Sequence, residues 1–163
     1  MGEWRARLLV IPMTFVGALV LTVMPLPEEL APWRPEWLAM TVLYWTLALP
    51  RQVGVGTAWF LGLLLDVTQG ALLGQHALGL AVIAWISLRL HQRVRFFPVW
   101  QQAVTVGALL AVHLMLVLWV YGITGMAPGT WLYWAPLASS VLLWPLVFVT
   151  LRGIRRRWCL GAS

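Results

Sequence analysis

The sequence is poor in the residues on which most enzymes and disulfide-rich domains depend. Its 163 residues include one cysteine, five acidic residues and three histidines, and all 11 basic side chains are arginines. The lone Cys159 excludes an intramolecular disulfide and offers no metal-ligand spacing. No HExxH zinc motif occurs, Ser139 and Ser140 lack a GxSxG setting, and Asp66 has no second aspartate for an aspartyl dyad. We therefore expect no metal, no cofactor and no enzymatic activity.

Charge of either sign is also scarce, whereas apolar residues are abundant. Charged residues make up 10% of the chain and hydrophobic residues 61%, against roughly 45–50% apolar residues in globular proteins. A soluble domain of this length cannot bury so much apolar surface, whereas a lipid bilayer can solvate it. The composition predicts an all-α integral membrane protein with a single transmembrane domain over residues 1–163.

Apolar segments separated by charged or proline-rich connectors predict a bundle of six transmembrane helices. The expected spans are residues 8–24, 37–49, 53–67, 76–88, 99–121 and 131–151. The second and third are shorter than the roughly 20 residues that cross a hydrocarbon core. Residues 37–67 therefore form either two short spans or a re-entrant pair. We favour two spans, because Trp33 and Trp37 can anchor one membrane interface while Arg51 marks the other.

The arginines lie at the ends of the apolar segments, and in the six-span arrangement ten of the 11 fall on one side. The opposite side holds Arg34 with Glu28, Glu29 and Glu36. Because cytoplasmic loops carry an excess of basic residues, we expect both termini to be cytoplasmic. This placement also makes nucleic-acid binding a poor explanation for the net charge of +6. The arginines expected to fix topology or contact anionic lipid are Arg89, Arg93, Arg95, Arg152, Arg155, Arg156 and Arg157.

Asp66 is the acidic residue that lies within an apolar run, where a charge costs about 2.5–3.5 kcal/mol at the centre of a membrane helix. Gly62, Asp66, Gly70 and Gly74 recur at every fourth position. One interpretation places all four on one stripe of a continuous helix that packs against another helix or a partner. The other interpretation makes Gly70 and Gly74 turn residues, with Asp66 capping a helix or reaching the membrane interface. The sequence leaves both open.

Two histidines lie within or at the start of expected spans. Gln75 and His76 could satisfy Asp66 if the chain folds back, although a histidine at a helix start is more typical of a capping or interfacial residue. His113 lies within the fifth expected span and has no acidic neighbour at helical spacing. The sequence therefore gives little support to a proton relay.

Three stretches carry a family resemblance: PLPEELAPWRPEWL (25–38), RQVGVGTAWFLGLLLDVTQGALLGQHALGLA (51–81) and RLHQRVRFFPVWQQA (89–103). Together they resemble the rod shape-determining protein MreD family, most specifically in the pattern G-L-L-L-D-x-x-x-G-x-x-x-G-Q-H. Thr68 and Gln69 are more polar than this pattern leads us to expect. The resemblance assigns partner binding or helix packing to Gly62, Asp66, Gly70, Gly74, Gln75 and His76.

The resemblance implies an inner-membrane component of the bacterial cell-elongation machinery, which works beside MreC, MreB filaments, and RodA with its transpeptidase. The expected function is that of a non-catalytic scaffold in the lipid bilayer. It would bind an MreC-like single-span protein and help to position or regulate peptidoglycan synthesis, and thereby cell shape.

The resemblance also implies a six-helix bundle similar to the substrate-binding subunits of energy-coupling-factor transporters. The alternative function is therefore that of a small-molecule-binding membrane subunit of a vitamin-type transporter. Such a subunit needs a polar pocket near its outer face. The sequence offers few polar groups there beyond Glu28, Glu29, Arg34 and Glu36, which favours the scaffold.

Overall fold

The computed structural model describes residues 2–159, which form six α-helices. The helices are α1 (Gly2–Val23), α2 (Trp37–Ala48), α3 (Val55–Gln69), α4 (Gln75–Val94), α5 (Val99–Thr124) and α6 (Ala135–Ile154). Short 3-10 helices, Ala31–Trp33 and Trp131–Trp134, precede α2 and α6, and a π-helical turn, Arg155–Cys159, continues α6. Residues 2–159 contain no β-strand, so the predicted all-α chain with six helices is confirmed. The side chain of Cys159 lies outside the described part.

Three helical segments of the described chain are long and apolar enough to cross a membrane: Trp4–Val23, Val99–Thr124 and Trp131–Trp158. They make this a multi-pass membrane protein. α2 has 12 residues and α3 has 15, which at 1.5 Å per residue gives lengths of about 18 and 22 Å, short of a hydrocarbon core of about 30 Å. The two helices are nonetheless separate, and residues 49–54 join them.

α2 lies at the centre of the bundle, because all ten residues from Leu38 to Leu47 are buried. A helix that is apolar on every side needs neighbours on every side. Two of its polar side chains contact neighbouring helices. The indole Nε1 of Trp45 donates to Oγ1 of Thr14 on α1 at 2.9 Å. The hydroxyls of Thr46 and of Ser87 on α4 lie 2.6 Å apart.

The connectors alternate between the two ends of the bundle. The connectors 24–36, 70–74 and 125–130 belong to one end, called the polar end below, where Glu36, His76 and Tyr133 line a common cavity. The connectors 49–54 and 95–98 and the π-helical turn belong to the opposite end, called the arginine end, where Ala48 and Arg155 line another cavity.

The structure corrects the expected end of the fourth helix. Arg89 and Arg93 were expected in a loop, but α4 continues to Val94 and contains both. Arginine is a good helix former, and a cation in the last turns of a helix is favoured by the helix dipole. Arg89 also stacks over the ring of Trp85 one turn earlier, 4.7 Å from its centroid, so its long side chain lies along α4. Only Arg95 stands at the end of the helix.

Candidate functional site

The glycines after Asp66 form a turn between two helices, so the stripe on one continuous helix was the wrong interpretation. α3 ends at Gln69. Gly70 has φ +65° and Gly74 has φ +98°, in the left-handed region that favours glycine. The amide of Ala71 donates to the carbonyl of Asp66 at 2.9 Å and closes the end of α3.

Asp66 caps the helix that follows this turn. Its Oδ2 accepts the amide of Gly74 at 2.9 Å and that of Ala77 at 3.4 Å, and its Oδ1 accepts the amide of His76 at 2.9 Å. Gly74 is the residue just before α4, and it has no side chain that could accept these amides itself. The carboxylate is fully buried, and the N-terminal amides of α4 offset its burial through hydrogen bonds and the positive end of the helix dipole.

His76 completes this cap. Its Nδ1 lies 2.7 Å from Oδ1 of Asp66. Because the carboxylate accepts, Nδ1 carries the hydrogen and donates it. The ring of His76 also lies 5.9 Å from the ring of His113, centroid to centroid. His76 therefore lies between the buried carboxylate of Asp66 and the ring of His113 on α5.

Gly62 brings α3 and α4 into backbone contact one turn before Asp66. A Cβ atom at Gly62 would collide with the Cα of Ala77 and lie 2.6 Å from its nitrogen. These neighbours are backbone atoms, which cannot move aside as a flexible side chain can. Gly62 thus keeps α3 close enough for Asp66 to reach the first amides of α4.

The other residues of the sequence pattern lie next to the turn between α3 and α4. Gln75 is buried in the first turn of α4. Thr68 and Gln69, which seemed too polar for a buried segment, are exposed in the last turn of α3. Thr68 donates its hydroxyl hydrogen to the carbonyl of Leu65 at 2.9 Å. Their polarity reflects the end of a helix and does not mark the buried face.

A polar cavity of about 370 Å³ opens next to this cap, at the polar end. Glu36, which precedes α2, faces His113 of α5, with 3.9 Å between Oε2 and Nε2. His113 has no acidic neighbour at helical spacing along the sequence. Glu36 is 77 positions away along the chain, and no pattern within one helix could reveal the contact. Gly79 makes room for the imidazole, since a Cβ atom there would collide with Nδ1 of His113.

The charged residues of the connector 24–36 differ in their relation to this cavity. Glu28 and Glu29 are exposed, whereas Arg34 and Glu36 line the cavity. Arg34 donates to the carbonyls of Thr22 at 2.6 Å and of Met24 at 2.7 Å and so caps the end of α1. Burial raises the pKa of the Glu36 carboxyl above its ordinary 4.5, and the nearby charge of His76 acts in the opposite direction.

The arginine end holds the second polar cavity, of about 260 Å³. It is lined by Arg95, Arg152 and Arg155, whereas Arg156 and Arg157 are exposed outside it. Two of the predicted arginine clusters, after α4 and after α6, therefore meet in space. Within residues 2–159, no group of three or more His, Cys, Asp or Glu side chains is arranged to hold a metal ion.

Comparison with known proteins agrees with the resemblance seen in the sequence. The family described as rod shape-determining protein MreD matches residues 4–154. The rod shape-determining protein MreD of Haemophilus influenzae is 34% identical over 143 residues, which cover 88% of each chain.

No solved structure matches the chain, so the likeness to substrate-binding subunits of energy-coupling-factor transporters stays a prediction. The family match extends from the first turns of α1 to the last residue of α6 and includes the Asp66 cap, the polar cavity and most of the arginine end. The residues that the family matches also form nearly all of the six helices and of the candidate membrane spans. This chain belongs to the MreD family of rod shape-determining proteins.

Proposed function

We propose that the chain is a non-catalytic scaffold of the cell-elongation machinery in the bacterial inner membrane. It binds an MreC-like single-span protein and helps to position or regulate the peptidoglycan synthases, RodA and its transpeptidase, near MreB filaments. The observation that carries the proposal is the family match over residues 4–154. The structure supports a non-catalytic role for the polar residues of the family pattern. Gly62, Asp66 and His76 hold α3 against α4 through backbone contact and hydrogen bonds.

All six helices cross the membrane in this proposal, with both termini in the cytoplasm. The alternation of connectors between two ends supports an even number of passes, and Arg95, Arg152 and Arg155 lie together at one end. Basic residues are retained on the cytoplasmic side. The short α2 is compatible with crossing because neighbouring helices, and not lipid, surround the whole of it. Reporter fusions at residues 51, 97 and 128 test the arrangement, since the first two should be cytoplasmic and the third periplasmic.

The surface offered to the partner is an apolar groove between α1 and α3, about 720 Å³ in volume. On α1 it runs from Trp4 to Leu19, and on α3 it includes Phe60 and Leu64. Residues 4–19 form 16 residues of helix, which correspond to about 24 Å, much of the thickness of a hydrocarbon core. We assign the groove to the membrane-spanning helix of the MreC-like partner, which would insert apolar side chains into it.

Affinity purification in mild detergent, with mass spectrometry of everything retained, tests the scaffold and the groove together. Val16 lines the groove and is 60% exposed, whereas Val149 on α6 is 64% exposed and lies outside it. Val16→Trp should lower recovery of the MreC-like partner at least several-fold, and Val149→Trp should leave it unchanged. Equal recovery from both variants would remove the groove from the interface and leave lipid as its occupant.

The alternative function, a small-molecule-binding subunit of a vitamin-type transporter, is favoured by one observation. The polar cavity of about 370 Å³ gathers Glu36, His76 and His113, more polar groups than the sequence led us to expect there. The same purification distinguishes the two functions. A stoichiometric small ligand or an ATPase-coupled module, retained in place of an MreC-like protein, would overturn the scaffold.

A further inference from the structure

Three guanidinium groups line one cavity at the arginine end. Arg95 comes from the end of α4, Arg152 from the last turn of α6 and Arg155 from the π-helical turn. Among the residues that the structure describes, none of those lining this cavity is acidic. The cavity therefore gathers three positive charges, and a bound anion would offset their mutual repulsion.

Aromatic faces hold two of these guanidinium groups. The Arg152 guanidinium carbon lies 5.8 Å from the ring centroid of Phe148, and that of Arg155 lies 5.9 Å from the ring centroid of Tyr44. Contacts of this kind orient a guanidinium without consuming its hydrogen-bond donors. The donors of Arg152 and Arg155 are therefore positioned at the cavity before any ligand arrives.

Two buried donors in the cavity wall add an independent observation. Trp144 is fully buried, and its Nε1 has no hydrogen-bond partner among residues 2–159. The Nε of Arg155 is in the same situation. A buried donor without an acceptor is unfavourable, because it has lost its hydrogen bond to water without gaining another, so both groups indicate that an acceptor belongs in this cavity.

Gln102 adds a hydrogen-bond acceptor to the wall of the same cavity. Its Nε2 donates to the carbonyls of Val94 at 3.2 Å and of Phe97 at 3.3 Å. These bonds orient the amide, and its buried Oε1 has no partner within the described chain. An acceptor at the edge of a basic cavity suits a ligand that carries a hydroxyl beside its phosphate.

We propose that this cavity binds a phosphate group, with Arg95, Arg152, Arg155 and the indole of Trp144 as donors. Phosphate supplies several strong acceptor oxygens, and arginine matches their geometry. Basic pockets between transmembrane helices on the cytoplasmic side are typical sites for anionic lipid headgroups. The phosphate of phosphatidylglycerol, whose glycerol hydroxyls can reach Gln102, has the required chemistry, and a soluble phosphate shares it. The site requires no particular protein partner and would stand if the scaffold role failed.

The test uses the full chain in phosphatidylcholine nanodiscs doped with phosphatidylglycerol, and native mass spectrometry counts the retained anionic lipid. The wild type should retain phosphatidylglycerol selectively. Arg152→Gln with Arg155→Gln should lower retention at least about tenfold, since it removes direct charge-assisted hydrogen bonds to the phosphate as well as two positive charges near the anionic surface. Arg156→Gln with Arg157→Gln removes the same charge outside the cavity, so it weakens only the general surface attraction and should lower retention clearly less than the first double variant does. Trp144→Phe keeps an aromatic ring and should lower retention several-fold.

Other results separate the sources of phosphate or overturn the site. Equal losses in the two double variants would show that surface charge alone attracts lipid, and the site would be wrong. If the wild type retains no phosphatidylglycerol, a second measurement compares the melting temperature of the protein in inorganic phosphate with that in chloride. This comparison decides whether a soluble phosphate occupies the cavity. A rise in phosphate that Trp144→Phe and the Arg152/Arg155 variant abolish identifies a soluble phosphate as occupant. The absence of any rise in the wild type overturns the proposal.

Discussion

Nδ1 of His76 lies 2.7 Å from Oδ1 of Asp66, and the backbone amide of the same histidine donates to the same oxygen at 2.9 Å. One residue thus contributes two hydrogen bonds to a carboxylate on the preceding helix. The pair is part of the turn that reverses the chain between α3 and α4. Its geometry makes Asp66 a structural residue first, and any role towards a partner acts through the shape of this hairpin.

Replacing Asp66 tests this role directly. Asp66→Asn should destabilise the protein by about 2–3 kcal/mol, because buried hydrogen bonds to a charged acceptor are each worth roughly 1.5–3 kcal/mol and the amide retains only part of them. The measurement is thermal unfolding in detergent, with membrane insertion checked by fractionation. Glu28→Gln, at an exposed acid, serves as control and should unfold like the wild type. A variant that inserts and unfolds normally but loses the MreC-like partner would assign Asp66 to the interface instead.

Gly62 and Gly56 offer a matched pair on one helix. Gly62→Ala should destabilise by about 1–3 kcal/mol, because its Cβ would overlap backbone atoms of α4 and force the two helices apart. Gly56→Ala meets no atom within 4 Å and should stabilise by about 0.5–1 kcal/mol through helix propensity. Melting temperatures of the two variants should therefore move in opposite directions. A shift of the same sign in both would contradict the close approach of α3 and α4.

Glu36 predicts a dependence on pH. It lies in the connector before α2, and burial raises its pKa above the ordinary value. A folded-state pKa above the unfolded value means that stability decreases as pH rises from about the unfolded pKa through the folded one. Glu36→Gln removes this pH-dependent loss of stability, so the melting temperature of the variant relative to the wild type should rise as the pH increases above about 4.5, the ordinary pKa of the carboxyl. Glu28→Gln should show no such trend, and a flat difference for Glu36→Gln would contradict the prediction.

Much of the helix layout followed from composition and spacing. Six apolar segments gave six helices, and the proline-rich and glycine-rich connectors fell between them, because hydropathy and helix breakers act locally along the chain. The end of α4 was missed since hydropathy ends at Leu88, whereas Arg89 and Arg93 extend the helix through propensity and side-chain stacking. A hydropathy profile reports where lipid contact stops, which is not where a helix stops.

The site was harder to read than the fold. A four-residue repeat of Gly62, Asp66, Gly70 and Gly74 fits a helix stripe and a helix-turn equally well, and backbone φ angles decided between them. The contact between Glu36 and His113 depends on how α2 and α5 pack. The indole of Trp144 lies within an apolar helix, and its unpaired Nε1 became informative only beside Arg152 and Arg155.

The enclosure of α2 has a consequence for how the protein is made. Lipid can replace missing neighbours for a long apolar helix but not for one of 12 residues. α2 contacts α1, α4 and α6, and α6 is synthesised last. A nascent chain that ends before residue 135 leaves one flank of α2 uncovered, so the second helix of the sequence reaches its final environment only when the sixth arrives. Truncations within α6 should therefore expose the middle of the protein to quality-control proteases rather than merely shorten its end.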